Sequence, residues 1–263
     1  MAWRRHLWKA LKVVVAVTTV TAALFLIYGA SKATLHSPPP TLLLLDKNGL
    51  YLGEVADSHS SPLGHWPLKE IPPRVVATAL AAEDRRFWSH PGVSPRAVIR
   101  AIIQNYKAGR HVSGASTIAM QVARLQTPGA RTYIRKGGEA VTALLLTLRY
   151  GRRAILAHYL RIAPFGNRIR GISYAAQRYF DKPACDLTWA EAALLMAIPQ
   201  SPGRMNLYTS KGRRLAYQRG KRILNSLYKE GFIPKSEYEI SEKHISSLFP
   251  FEKPKNPHCA LHV

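Results

Sequence analysis

Residues Glu83 to Gly92 read EDRRFWSHPG and close a segment, Arg74 to Phe87, with helical apolar spacing at Val76, Ala79, Leu80 and Phe87. That spacing puts Glu83 on the apolar face, three residues after Leu80 and four before Phe87. Burying an unpaired carboxylate is expensive, so a helix built only for stability keeps its Glu on the wet side. Arg85 and Arg86 follow at once, and His90 and Gly92 mark the turn beyond. An acid between an apolar face and a basic cluster is a candidate proton acceptor. A helix-end Glu paired with an arginine is the plainer alternative, and this stretch alone leaves both open.

Outward from this stretch the signals are mostly helical. On its N-terminal side, Pro38-Pro39-Pro40 predicts a stiff linker, and TLLLLDKNGLYLGEV predicts a β-hairpin turning at Asn48-Gly49. On its C-terminal side, Ser94-Pro95 opens a helix with one apolar stripe, Val98, Ile99, Ile102, Ile103 and Tyr106, ending near Gly109. The stripe is expected in the core, with a membrane-dipping face as the alternative. Ser116 is placed to cap the next helix, STIAMQVARL. Helices follow at Arg131 to Tyr150, Arg152 to Ile162 and Gly171 to Phe180. Thr188 and Glu191 form a capping box before WAEAALLMAI, which stops at Pro199. The basic segment Ser210 to Glu230 predicts a last long helix with a solvated surface, stopped at Gly231.

Near the N-terminus, Val13 to Ala30 carries no charge and is just long enough to span a bilayer. Arg4, Arg5, Lys9 and Lys12 precede it, so its start should stay cytoplasmic. Trp3, Trp8 and Tyr28 stand where interfacial aromatics belong. An uncleaved anchor is expected, with a cleaved signal peptide as the competing reading.

The 263 residues carry a net charge of +23, which calls for an anionic partner: nucleic acid, an anionic membrane or a phosphorylated substrate. Cys185 and Cys259 imply neither a disulfide framework nor a zinc site. Between Glu83 and Arg170 the acids are Glu83, Asp84 and Glu139, set among many arginines. Arg131, Arg135 and Glu139 lie one turn apart and can share a helix face, with Lys136 beside it. Arginine's planar fork suits phosphate oxygens, so this field favours acid/base chemistry on an anionic substrate. His90 reads as a structural hydrogen-bonder, and the S-x-x-K pattern at Ser226 to Lys229 as chance.

The motifs EDRRFWSHPGV, GASTIAMQ, RKGGEA, ILAHYLRIAPFG and GISYAAQRYF occur in order between about Leu43 and Tyr208. This segment resembles the peptidoglycan glycosyltransferase domain, glycosyltransferase family 51. That domain makes up monofunctional glycosyltransferases and the N-terminal half of class A penicillin-binding proteins. APFG and the closing FPFEKPKNPHCALHV look most like the 1C type, in which similar residues lead into a transpeptidase domain expected to be missing here. The resemblance implies a mainly α, lysozyme-like domain over 41–232 with a small β-hairpin. Before it come a basic N-terminus (1–12), a transmembrane helix (13–30) and a linker (31–40), and after it a tail (233–263).

By resemblance, Glu83 matches the base that deprotonates the acceptor sugar, and Glu139 the second glutamate, on the donor side. Ser116, Thr117 and Gln121 match the polar residues of the second motif. Arg124, Arg131, Arg135 and Lys136 would hold pyrophosphate, and Arg85 and Arg86 count among the substrate-binding cations. A divalent cation, Mg or Mn, assists in some members. The implied substrates are lipid II and the growing lipid-linked glycan strand, at the outer side of the plasma membrane, beside a separate transpeptidase; no nucleic acid is implied. Ser94, Ala154 and Arg161 stand where the family usually has Asp, Glu and Asn. Two rivals remain at this point: an inactive remnant serving cell-wall assembly, and a membrane-tethered nucleic-acid binder suggested by charge alone.

Overall fold

The computed structural model describes residues 2–47, 51–55, 63–68, 70–109, 114, 116–130, 132–248 and 251. In chain order the elements are α1 (Ala2–Lys32), β1 (Leu42–Leu45), β2 (Tyr51–Val55), β3 (Leu63–Gly64), α2 (Pro73–Glu83), α3 (Pro95–Ala108) and α4 (Ile118–Gln126). Then come α5 (Tyr133–Ile162), β4 (Ile169–Arg170), α6 (Ile172–Phe180), α7 (Trp189–Ala197), α8 (Ser210–Lys229) and α9 (Lys235–Ser247). The fold is mainly α, as expected, and divides into two compact units. One comprises Met1–Ser37 and Arg86–Tyr159, the other Pro38–Arg85 and Leu160–Val263.

In the first unit, α1 contains a 25-residue stretch, Trp8–Lys32, whose most apolar 18-residue window has a mean hydropathy of 2.3, long and apolar enough to cross a membrane by length and composition. α3 starts as its sequence predicts, Ser94 accepting a hydrogen bond from the Ala97 amide. Its apolar stripe departs from the expected core: Val98, Ile99, Ile103 and Tyr106 are exposed, Tyr106 by 87%. Periodicity identifies an apolar face but not what covers it. α4 is capped by Thr117, not by Ser116: the Thr117 hydroxyl accepts from the Met120 amide and donates to the Gly92 carbonyl. Gly92 has φ +114°, and a Cβ there would lie 2.5 Å from the Ala143 carbonyl oxygen. α5 breaks at Gly151, whose φ of 76° and ψ of 161° are not helical. The break falls between the two helices that the sequence predicts.

The second unit is built around α7, whose residues from Ala190 to Ala197 are all buried. A helix apolar on every side belongs at a centre, and α2, α6, α8 and α9 pack against it. Its capping box forms as expected: Thr188 accepts from the Glu191 amide, and Glu191 accepts from the Thr188 amide at 2.8 Å. Burial works against the Glu191 carboxylate, but the Lys182 ammonium at 2.8 Å and the Thr188 donors outweigh it and hold its pKa below the usual range. The hairpin forms too, β1 pairing antiparallel with β2 from Leu42 opposite Val55 to Leu45 opposite Tyr51. Its expected turn at Asn48-Gly49 lies outside the described residues. A second pairing, β3 parallel to β4, is carried by two residues on each side and has no sequence signal of that length. In the segment expected as a tail, Lys235–Ser247 is helical and α9 packs on α8.

Candidate active site

Glu83 is the last residue of α2, the end where a helix dipole disfavours an anion and where carbonyls lack partners. Its side chain is only 9% exposed, as its place on the apolar face predicts. A compensating cation is Arg219 of α8. Its Nη2 lies 2.9 Å from Glu83 Oε1 and 3.2 Å from the Ala82 carbonyl oxygen, so one guanidinium meets both the carboxylate and an open helix end. Its other terminal nitrogen donates to Gln200 Oε1. Arg85, which follows Glu83 in sequence, pairs with Glu230 at 3.2 Å and is largely exposed. Arg86 is exposed and precedes the 3-10 turn Phe87–Ser89. Among the described residues, a distant arginine, Arg219, meets Glu83, while its chain neighbour Arg85 pairs with Glu230.

The sequence does not single out Arg219, because α8 reads as a solvated basic helix. A signal exists: Arg219 lies beside Ala216, Gly220 and Ile223, which are buried, so it falls on the edge of the apolar stripe.

Glu139 lies in the first unit on α5. Its Oε1 is 3.2 Å from Arg135 Nε, one helical turn earlier, and both side chains are mostly buried. Arg135 also donates to the Thr127 carbonyl, an open end of α4. Arg135, Glu139, Thr127 and Thr142 line one narrow pocket. The sequence places Arg135 and Glu139 together correctly, and Lys136, one residue off that line, is exposed. Arg131 lies outside the described residues. Arg124 is half-buried in the last turn of α4, Gln121 is buried, and Ser116 is half-buried just before the cap.

Among the described residues no group of three or more His, Cys, Asp or Glu could hold a metal ion. A divalent cation takes several oxygen ligands, and the one carboxylate of this pocket is paired with an arginine. This donor set does not fit a protein-built Mg or Mn site.

Two other expectations concern supporting residues. His90 is structural: it is buried, its Nδ1 accepts from the Gly92 amide, and its carbonyl accepts from Arg152 Nε at 3.0 Å. Arg161 donates to the carbonyls of His65 at 2.8 Å and Pro38 at 3.2 Å. Burial, then the charges of Arg170 and Arg161, hold the His65 ring below its usual pKa.

A family model described as Transglycosylase matches residues 50–228. The chain belongs to that family. Penicillin-binding protein 1C of Escherichia coli is 37% identical over 196 residues, covering 71% of this chain and 25% of that protein. Penicillin-binding protein 1A of Aquifex aeolicus is 35% identical over 204 residues, covering 77% and 27%. The chain thus spans about a quarter of the length of these relatives. A biosynthetic peptidoglycan transglycosylase of Escherichia coli is 36% identical over 168 residues, 64% of this chain and 69% of that protein. A crystal structure of penicillin-binding protein 1A from Haemophilus influenzae aligns with 83% of this chain and 22% of its own, at 20% identity and a TM-score of 0.46.

Proposed function

We propose that this chain is a peptidoglycan glycosyltransferase that polymerises lipid II into glycan strands and releases the lipid pyrophosphate. The observation that carries the reading is the pair of largely buried, arginine-held glutamate side chains, Glu83 and Glu139, in a chain of the transglycosylase family.

In the reaction the acceptor's hydroxyl oxygen forms a bond to the donor's anomeric carbon, and the bond from that carbon to the pyrophosphate oxygen breaks. The electron pair of that bond leaves with the pyrophosphate, and the hydroxyl proton passes to the base. Glu83 is assigned as that base, with inversion at the sugar carbon. Arg219 compensates the charge that a buried base must carry before it accepts a proton. On the donor side Arg135 is assigned to the leaving pyrophosphate, whose developing charge fixed cations stabilise, and Glu139 orients its guanidinium. Arg124, Arg131 and Lys136 are assigned to the same pyrophosphate, and Ser116, Thr117 and Gln121 to polar contacts with the substrate. Arg85 and Arg86 are assigned to outer contacts with the acceptor strand.

The same reading makes α1 a single-pass anchor in the plasma membrane, with the remaining chain on its outer side. The exposed apolar stripe of α3, flanked by Arg96, Arg100 and Lys107, would then lie in the bilayer surface.

The test is incubation of the purified chain with labelled lipid II, followed by gel separation of the products. A ladder of polymer is the expected result; unconverted lipid II, with the chain folded and in its membrane, would reject the activity.

A further inference from the structure

In the first unit the anchor helix is packed more tightly than a tether requires. Phe25 lies over Gly137 and Tyr28 over Gly138: a Cβ at Gly137 would sit 3.0 Å from Phe25 Cε1, and one at Gly138 2.7 Å from Tyr28 Cε1. In the other direction, a Cβ on Gly29 would sit 2.7 Å from Val141 Cγ1 and 3.3 Å from the Thr142 amide nitrogen. Small residues on both helices let α1 and α5 approach closely, as in helix pairs within membranes. Past the helix end the chain remains attached to the same unit. Gln126 Nε2 donates to the Thr34 carbonyl at 2.7 Å, and Arg149 Nη1 to the Ala33 carbonyl at 3.2 Å. The last turn of α1 therefore has one fixed place, and there Tyr28 and Lys32 join the wall of the pocket that holds Arg135 and Glu139.

We infer that the end of the anchor helix is a working part of the donor site. Lys32 supplies a further cation to the pyrophosphate of a polyprenyl-linked donor, and Tyr28, seated on Gly138, sets where that cation reaches. The inference rests on the reading that the Arg135–Glu139 pocket takes the donor. A lysine in the last turn of an anchor helix also has a plainer use, favouring the helix dipole and the membrane surface. That use does not distinguish a pyrophosphate from a monophosphate.

The experiment uses the full chain in phospholipid vesicles with two readouts: affinity for polyprenyl pyrophosphate and polyprenyl monophosphate, and turnover of labelled lipid II. Lys32→Ala should lower pyrophosphate affinity about tenfold, the scale of one charge-assisted hydrogen bond. Monophosphate affinity should fall less, and KM for lipid II should rise with kcat nearly unchanged. Lys32→Arg should restore most of the loss, and Lys12→Ala, at the other end of the helix, should change nothing. Gly138→Ala, which displaces Tyr28, should raise KM in the same direction. Unchanged pyrophosphate affinity in Lys32→Ala, or equal loss for both ligands, overturns the inference. If the unmodified chain polymerises lipid II while Lys32→Ala matches it, only the inference falls. If the unmodified chain binds pyrophosphate without turnover, the binding readout still decides the role of Lys32. Binding of neither ligand overturns it together with the reading it rests on.

Discussion

Glu83 and Glu139 are each held by an arginine, yet the two pairs are built differently. Arg135 and Glu139 are four residues apart on one helix, so the helix itself sets the contact. Glu83 and Arg219 are 136 residues apart, and their contact exists only because α8 packs against α2. The local pair forms wherever α5 forms. The distant pair depends on the packing of a whole unit, and it closes the C-terminal end of α2 as well as neutralising a carboxylate. A base held by tertiary structure is positioned only in the folded protein, whereas a local pair tolerates loosening around it.

The largest effect should come from removing the base itself. Glu83→Gln keeps an oxygen to accept from Arg219 but cannot take the acceptor's proton. Turnover of lipid II should fall by about 10²–10⁴-fold, with binding and fold retained. Near-normal turnover in this variant would move the base elsewhere and end the assignment.

Next is Arg219, where the distant pair can be broken from its other side. Arg219→Met takes the arginine away from the largely buried Glu83 carboxylate, and breaking such a pair from one side typically costs about 3–5 kcal/mol of stability. Thermal unfolding should show that loss, together with lower turnover. The double variant Glu83→Gln with Arg219→Met removes both charges and should recover much of the stability while staying inactive. If the two losses simply add, the two side chains are not coupled and the contact has no energetic weight.

The contrast between the pairs also explains what the sequence discloses. The capping box, the break at Gly151 and the Arg135–Glu139 pair each depend on residues a few positions apart, and all are legible. Glu83 was legible as a buried acid because helical period alone places it on the apolar face. Its partner was not: proximity in sequence points to Arg85, which pairs with Glu230 instead. The stripe on α3 fails for the same reason, since spacing gives a face and only the packed chain says what lies against it. The pairing of β3 with β4 rests on two residues per strand and leaves no periodic trace.

Third in size is Arg135, which tests whether the local pair serves binding more than stability. Arg135→Ala should weaken donor use by roughly 1.5–3 kcal/mol, the worth of a lost charge-assisted hydrogen bond. Its effect on unfolding should be below that of Arg219→Met, because the ion pair lies within one helix, whereas the Arg219 pair joins α8 to α2. Arg135→Lys keeps the charge but not the fork joining Glu139 to the Thr127 carbonyl, so it should recover only part of the donor use. A stability loss as large as that of Arg219→Met would erase the distinction between the two pairs.

The smallest effect is expected at Arg213, on the same helix as Arg219. The two are six residues apart, which at about 100° per residue separates them by about 120° around α8. Arg219 is thereby carried to the buried carboxylate, while Arg213 makes one long contact, 3.4 Å, from Nη1 to the Leu207 carbonyl oxygen. Arg213→Ala should change stability by no more than about 0.5 kcal/mol, because among the described residues the half-buried Arg213 side chain forms no ion pair and makes only that one long contact. Turnover of lipid II should stay within about twofold of normal, because no buried charge loses its partner. The comparison holds net charge constant, since both variants remove one positive charge from one basic helix. If binding instead fell equally for Arg213→Ala and Arg219→Met and shared one steep salt dependence, the field of the helix would be acting as a whole, as in a nucleic-acid binder. Unequal losses, large at Arg219 and small at Arg213, would mean that position within the fold decides what each arginine does.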